Sequence, residues 1–492
     1  MNSRYQLHLI LLNSFVVISH LSFTQPSQQF SRDVEERIRK VENSLAGWVW
    51  MEDSVNTWNL EKRMKEQNIH GLSIAVINNG KLEWAKGYGF ADTASKKPVT
   101  IETLFQAGSI SKSLNSIGIL KLVQEKKVDL HTDINNYLRS WKFPYDTISK
   151  DKKITLANLL SHSAGLTIHG FPGYPTDDTI PSLLQILDGL PPANTKAVRS
   201  MFEPGLRFRY SGGGTTISQI LLMDVTGEAY DAYMWNHVLK PLGMEKSSYA
   251  QPPAPDMYKY LATGYKLNGA EVKGKYHIYP EQAAAGLWTN PTDLSKWMIE
   301  TQLSYVGKSS KVLSPEITRL QLTPYIDSSL GLGVFLEKHG GEKYFGHNGS
   351  DQGFLSLAKA SIDGGRGVVI MINSNNGRVL NEVLNSVASV YGWNEFYKPV
   401  KKKVVKVDDS IIDSYAGDYL LENDTVTISR KGTESFVTIN RNTTFKIYFN
   451  ADNEFFSPGL NQLEFKIDKD ETGKVKEFYF KEGDAIIRAR KL

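Results

Sequence analysis

The sequence predicts a mixed α/β (α+β) fold: an antiparallel sheet flanked by helices, a helical subdomain inserted into it, and a small all-β unit at the C-terminus. Three observations carry this. A hairpin pattern near residue 75 and three strand candidates between 331 and 373 bracket a long stretch of helical and loop sequence. The mostly apolar run from Ile110 to Val123 reads as a buried helix. Beyond residue 400 the chain changes to short alternating runs separated by turn residues, the pattern of a small antiparallel barrel or sheet.

At 492 residues, 41% hydrophobic and 22% charged, the chain can bury a large core and holds more than one domain. A net charge of +4 is no nucleic-acid footprint at this length. There are no cysteines, which excludes disulfides, thiolate zinc sites, haem attachment and a lipoprotein anchor, and suits an oxidising compartment. Arg4 precedes an apolar run from Leu7 to Phe23, and Ser22-Phe23-Thr24 precedes Gln25. Residues 1–24 therefore read as a secretory signal peptide. The alternative, a retained membrane anchor, is disfavoured by His8, Asn13 and His20 within the run. The expectation is an exported protein, bacterial periplasmic or secreted, with no stable membrane span after cleavage.

Taken in order, residues 25–70 read as helical, with Val34, Ile38, Val41 and Leu45 on one face. Leu72 to Ile77 and Lys81 to Ala85 flank Asn78-Asn79-Gly80, a hairpin signature, and Gly87 and Gly89 are expected to break the second strand. Thr155 to Leu160 opens a short helix. The Gly-, Pro- and aromatic-rich loop Thr167 to Pro175 is suited to shaping a pocket or to connecting elements on the surface. After Gly212-Gly213-Gly214 a helix is predicted from Thr216 to Val225, and Asn290-Pro291 caps another. Strands are predicted near Gly331 to Leu336, over Gly353 to Ser361 and over Gly367 to Asn373. The basic run Lys398 to Lys403 reads as a solvated linker. The expected division is 1–24 signal peptide, 25–395 main domain, 396–408 linker and 409–492 β domain.

The chemistry concentrates in Ala107-Gly108-Ser109-Ile110-Ser111-Lys112-Ser113. On the predicted helix, Ser109, Lys112, Ser113 and Ser116 fall on one face of an otherwise apolar rod. A Lys there needs a partner or a task. A hydroxyl, an amine one turn away and the free N–H groups of a helix start make the kit for a Ser nucleophile activated by a Lys base. Ser-x-x-Lys also occurs at Ser149/Lys152, in a charged run read as a solvated loop, and at Ser356/Lys359, in a strand whose residues three apart face opposite ways. His162 has no second His or carboxylate at metal spacing, so it reads as structural, and neither a metal nor a cofactor is expected.

These pieces resemble the serine β-lactamase and penicillin-binding-protein superfamily, on its class C side with D-aminopeptidases, D,D-peptidases and carboxylesterases. The resemblance runs over residues 60–395 through Thr103 to Lys112, Asn158 to Leu166, Pro204-Gly205 to Tyr210-Ser211, Pro241 to Met244, Gly331-Leu332-Gly333 and His347-Asn348-Gly349. It implies a β-lactamase/transpeptidase-like fold and an acyl-enzyme on Ser109, with Lys112 and Tyr210 sharing the proton. The backbone N–H groups of Ser109 and Ser350 would form the oxyanion hole. Gly212, His347 and Gly349 take substrate-binding positions. Two of these depart from the family pattern. Gly212 replaces an Asn that would hydrogen-bond a substrate amide. His347 stands where β-lactamases carry Lys, and an unperturbed imidazole gains its proton only below about pH 6.5. Both departures favour a peptidase or esterase over a dedicated β-lactamase. The expected partner is a small-molecule or peptide substrate with an amide or ester bond, and no nucleic acid; oligomeric state is not legible. The C-terminal unit resembles a lipocalin-like appendage. The competing reading is a catalytically silent protein of the same fold that binds peptidoglycan or peptides.

Overall fold

Asn79 and Gly80 turn the chain between strands β1 (Gly71–Asn78) and β2 (Lys81–Asp92), as the hairpin signature predicts. The computed structural model describes residues 30–422, 424–441, 443–460, 463–482 and 485–492; the expected signal peptide lies outside them. Strand β2 runs straight through Gly87 and Gly89 instead of breaking there. A Cβ on Gly87 would meet the Val99 carbonyl oxygen at 2.4 Å, and one on Gly89 would meet that of His70 at 2.2 Å. These glycines mark close backbone approach within a strand, not its end.

The hairpin joins a seven-stranded antiparallel sheet of order β3-β2-β1-β7-β6-β5-β4. Its other members are β3 (Lys97–Pro98), β4 (Phe335–His339), β5 (Glu342–Asp351), β6 (Phe354–Ser361) and β7 (Gly367–Ile372). The β1–β7 pairing brings together strands almost 300 residues apart and closes the sheet around the inserted helical region. The first C-terminal strand starts at Phe335, later than the predicted Gly331. Gly331 to Val334 is irregular because its backbone serves other elements: Gly331 N–H bonds Val334 O, Leu332 N–H bonds Gln321 O and Gly333 N–H bonds Leu160 O.

One sheet face packs on α1 (Arg32–Asn43) and α7 (Arg378–Val390) through Ile38, Val41, Ile74, Val76, Ile370, Val383 and Val387. The other supports the larger core around α2 (Ile110–Gln124), α3 (Leu156–Leu160), α4 (Gly212–Thr226) and α6 (Pro291–Tyr305). Cap chemistry sets these helices. Thr155 and Asn158 make a capping box on α3, and the Asn290 side chain accepts from Asp293 N–H ahead of Pro291. Helix α4 begins four residues before the predicted Thr216, because Ser211 is its cap and the three glycines form its first turn.

Of the region 25–70 predicted as helical, the described residues 30–70 do not form one helical stretch. Helices Arg32–Asn43 and Leu60–Glu66 flank a short strand, Val49–Met51, which pairs in parallel with Val400–Lys402. Local periodicity cannot report a partner 350 residues away. Part of the basic run is thus a strand, and Tyr397 beside it accepts from Trp50 Nε1 at 2.9 Å and donates to Gly47 O at 2.7 Å. A chain ended at 408 is therefore expected to melt a few degrees above one ended at 395, followed by circular dichroism. Equal melting temperatures would mean that the pairing contributes nothing.

The C-terminal unit is a closed barrel of eight antiparallel strands in sequence order, β8 (Gly417–Leu421) to β15 (Ala485–Lys491). The alternating runs at 426–429, 436–440, 445–449, 463–467, 475–480 and 485–489 mark six of them in the sequence. Gly417–Leu421 and Glu454–Phe456 are missed because they are short and flanked by polar residues. The interior is filled by aromatic side chains, among them Tyr419, Phe449, Phe455, Phe465 and Phe478. Among the described residues no helix is long and apolar enough to cross a membrane.

Candidate active site

Helix α2 delivers the nucleophile candidate. Ser109 occupies its N-cap position, yet the hydroxyl makes no capping bond. Instead it accepts a hydrogen bond from Lys112 Nζ at 2.9 Å. Lys112 is 4% exposed and also donates to the Ala284 carbonyl at 2.7 Å, at the end of the short helix α5 (Gln282–Ala285). Among the described residues it has no carboxylate partner. The rest of the polar line is satisfied structurally: Ser113 Oγ donates to Gly333 O, and Ser116 Oγ accepts from Gln321 Nε2.

Tyr210 reaches the same place from the residue before the α4 cap. Ser211 holds it there: its N–H donates to His162 Nδ1 at 3.2 Å, and its hydroxyl donates to Thr167 O and accepts from Gly214 N–H. The Tyr210 ring is enclosed by His162 at 4.2 Å and His169 at 4.9 Å between centroids, with Phe335 and His347 beyond. Lys112 Nζ lies 5.1 Å from the ring centroid. His162, read from sequence as structural, thus orients the tyrosine segment. Burial and then the charge of Lys112 hold its proton affinity well below that of a free imidazole.

The third wall is β5. Strand β4 pairs with it only as far as Gly346, so His347 to Ser350 form a free edge on that side. A Cβ on Gly349 would meet the Ala107 carbonyl oxygen at 1.8 Å, and one on Gly108 would meet Ser350 N at 2.4 Å. Only glycines allow this approach, and it sets the Ser350 amide beside the start of α2, where the second oxyanion donor was expected. Ser356 Oγ donates to Ala107 O at 2.8 Å and fastens β6 to the same point.

His347 is 5% exposed. Its Nδ1 lies 2.5 Å from the Asn348 carbonyl oxygen. A carbonyl only accepts, so Nδ1 carries the hydrogen and Nε2 is left as an acceptor. That Nε2 is buried and has no partner among the described residues. Burial and then Lys112 push the imidazole down to about 3, against a weaker upward pull from the Asn348 carbonyl. Burial and the charge of Lys112 thus favour the neutral ring, against the sequence expectation of a proton gained near pH 6.5.

These walls enclose a cleft of about 680 Å³ lined by Ser109, His169, Phe208, Tyr210, His347 and Ser350 among others. It continues over the free edge of β5 to Leu355, Leu357 and the start of α7. Gly212 is not on its wall. It is buried under the loop, its N–H donating to His169 O, and a Cβ there would meet Phe171 at 3.1 Å. His169 and Phe208 were not foreseen individually, although the Thr167 to Pro175 loop was marked as a candidate for pocket shaping. The other two Ser-x-x-Lys pairs are not brought together. Ser149 is fully buried, not solvated, hydrogen-bonded to Asp146 and Ser200. Lys359 points away from Ser356 and pairs with Glu337.

Comparison with known proteins places this geometry. A family model described as Beta-lactamase matches residues 59–389. Protein flp of Staphylococcus aureus (strain MW2) is 27% identical over 342 residues, covering 66% of this chain. This chain spans 64% of the length of that relative. The putative penicillin-binding protein PbpX of Bacillus subtilis (strain 168) is 26% identical over 328 residues, 66% of this chain and 75% of PbpX. Among solved structures, the octameric penicillin-binding protein homologue from Pyrococcus abyssi superimposes with a TM-score of 0.62 at 20% identity, covering 88% of this chain and 98% of that one. SurE with D-Leu gives 0.55 at 20% identity, covering 88% and 97%. Such coverage exceeds what residues 1–408 could supply, so the likeness of fold extends into the barrel.

Proposed function

The chain belongs to the β-lactamase family, and from that premise we propose that it is an exported, class C-like serine hydrolase that cleaves an amide or ester bond through an acyl-enzyme on Ser109. The observation that carries this is the 2.9 Å hydrogen bond from a buried, carboxylate-free Lys112 to a Ser109 hydroxyl that caps nothing. Lys112 takes the Ser109 proton as Oγ attacks the acyl carbon, and Tyr210 passes a proton to the leaving group. The Ser109 and Ser350 amides stabilise the oxyanion. Export rests on the reading of residues 1–24.

Peptidase or esterase activity is favoured over dedicated β-lactam hydrolysis. A fixed cation in place of His347 would attract a substrate carboxylate by about 1 kcal/mol in water-like surroundings and several-fold more where solvent is reduced. A neutral imidazole there does not. A panel of D-amino-acid amides, simple esters and a chromogenic cephalosporin tests the assignment. Turnover of amides or esters at rates above the cephalosporin is expected. Binding without turnover of any would favour the silent binding protein.

The imidazole also makes a prediction about pH. For a matched acid and methyl ester, the wild-type ratio of kcat/KM is expected to stay flat from pH 8 to 5.5, because burial and the charge of Lys112 push His347 down to about 3. His347→Lys is expected to raise the ratio in favour of the acid. A wild-type ratio that climbs below pH 6.5 would mean that the ring protonates in the cleft and that its Nδ1 bond to Asn348 is not the neutral tautomer's.

A further inference from the structure

The loop that follows Thr167 is fastened to the first turn of α4 by three successive carbonyls. Ser211 Oγ donates to Thr167 O at 2.8 Å, Gly213 N–H to Ile168 O at 3.1 Å and Gly212 N–H to His169 O at 3.0 Å. To reach this position Ile168 takes a φ of +61°. A β-branched residue rarely enters the left-handed region, because its side chain crowds the backbone there. The Ile168 side chain packs on the larger core, so core and helix together hold the backbone against its preference. Strain of this kind persists only where the surroundings over-determine it, and it gathers at functional sites.

The glycines of α4 make the approach possible. A Cβ on Gly212 would meet His169 O at 3.2 Å, and one on Gly213 would meet Val198 at 2.7 Å and Ile168 at 3.2 Å. Position 212 therefore presents no side chain to a substrate, and the residue laid over it is His169. Its imidazole lines the cleft and stands 4.9 Å from the Tyr210 ring, centroid to centroid. Capping α4 accounts for the three carbonyls but not for the imidazole. Among the described residues neither ring nitrogen has a hydrogen-bond partner.

We propose that His169 is a specificity-determining residue, hydrogen-bonding a second amide of the substrate beyond the scissile bond, with the strained turn at Ile168 fixing its place in the cleft. The proposal rests on the acyl-transfer reading of Ser109 given above and narrows its substrates to N-acylated or peptide-like molecules. A neutral imidazole offers one N–H donor and one acceptor whichever nitrogen carries the hydrogen, and an amide offers the complementary acceptor and donor. Burial, then the charges of Lys112 and Arg209, lower the proton affinity of His169, which favours that neutral form.

Two matched pairs of esters test this on the full-length protein. Methyl N-acetylglycinate against methyl pentanoate places the extra amide on the acyl side. The acetate esters of N-acetylethanolamine and of pentanol place it on the leaving-group side. Within each pair the ratio of kcat/KM cancels differences of reactivity when wild type and variant are compared. His169→Ala is expected to lower the ratio about tenfold in one of the two pairs, the scale of one neutral hydrogen bond. His169→Gln, which keeps a donor and an acceptor, is expected to recover part of it. Ratios unchanged in His169→Ala, both members of each pair falling together, or no recovery in His169→Gln would overturn the proposal. If the wild type hydrolyses none of the four, the catalytic reading fails. The contact is then read from dissociation constants by ligand-detected NMR on Ser109→Ala. An added His169→Ala that weakens an amide-bearing ester about tenfold relative to its partner would support the contact. Equal binding would overturn it.

Discussion

Ser109→Ala is expected to reduce ester and amide hydrolysis to background while the protein stays folded. The hydroxyl caps no helix N–H, so its removal forfeits one hydrogen bond from Lys112 and little else. The cost to stability should therefore not exceed the ~1 kcal/mol typical of a lost cap. The effect on rate is of another order, because loss of the nucleophile removes the acyl-enzyme route altogether, on the order of 10⁶-fold where such residues act as a unit. Ser356→Ala and Ser149→Ala serve as controls with different costs. The first releases the Ala107 carbonyl from β6 and should lower activity modestly; the second loosens a buried network that does not line the cleft and should lower stability more than rate. Steady-state kinetics with thermal unfolding on the same preparations separates the three. Substantial activity in folded Ser109→Ala would end the mechanism.

Gly349→Ala is expected to have the next largest effect, although it removes no functional group. The added methyl would stand 1.8 Å from the Ala107 carbonyl oxygen and 2.3 Å from Ser356 Oγ. Neither can yield cheaply, since the first is backbone and the second is held by that same carbonyl. Strand β5 must retreat from the start of α2, and the Ser350 amide retreats with it. Loss of one oxyanion donor costs ~10²–10³ in kcat, and a loss in that range with a lower melting temperature is the expected result. An active, stable Gly349→Ala would mean that the Ser350 amide does not serve the oxyanion.

Much of this site is legible in the chain because its parts are local. Ser109 and Lys112 lie one turn apart, so helical periodicity alone puts them on one face. The Asn79-Gly80 turn and the Asn290 cap are likewise written in adjacent residues. What escaped reading depends on distant partners. Gly87 and Gly89 look like breaks until Val99 and His70 are seen against them. Ser149 sits in a charged run yet is buried, because Asp146 and Ser200 hold its hydroxyl. The neutrality of His347 comes from burial and from Lys112, neither of which a motif records.

The central claim, an acyl-enzyme on Ser109 formed with Lys112, is tested most directly by intact mass spectrometry after exposure to a fluorophosphonate or a labelled penicillin. The expected result is one adduct per chain, mapped to the peptide containing Ser109, absent from Ser109→Ala and greatly slowed in Lys112→Met. An unmodified wild-type protein, or an adduct mapped to any other residue, would contradict it.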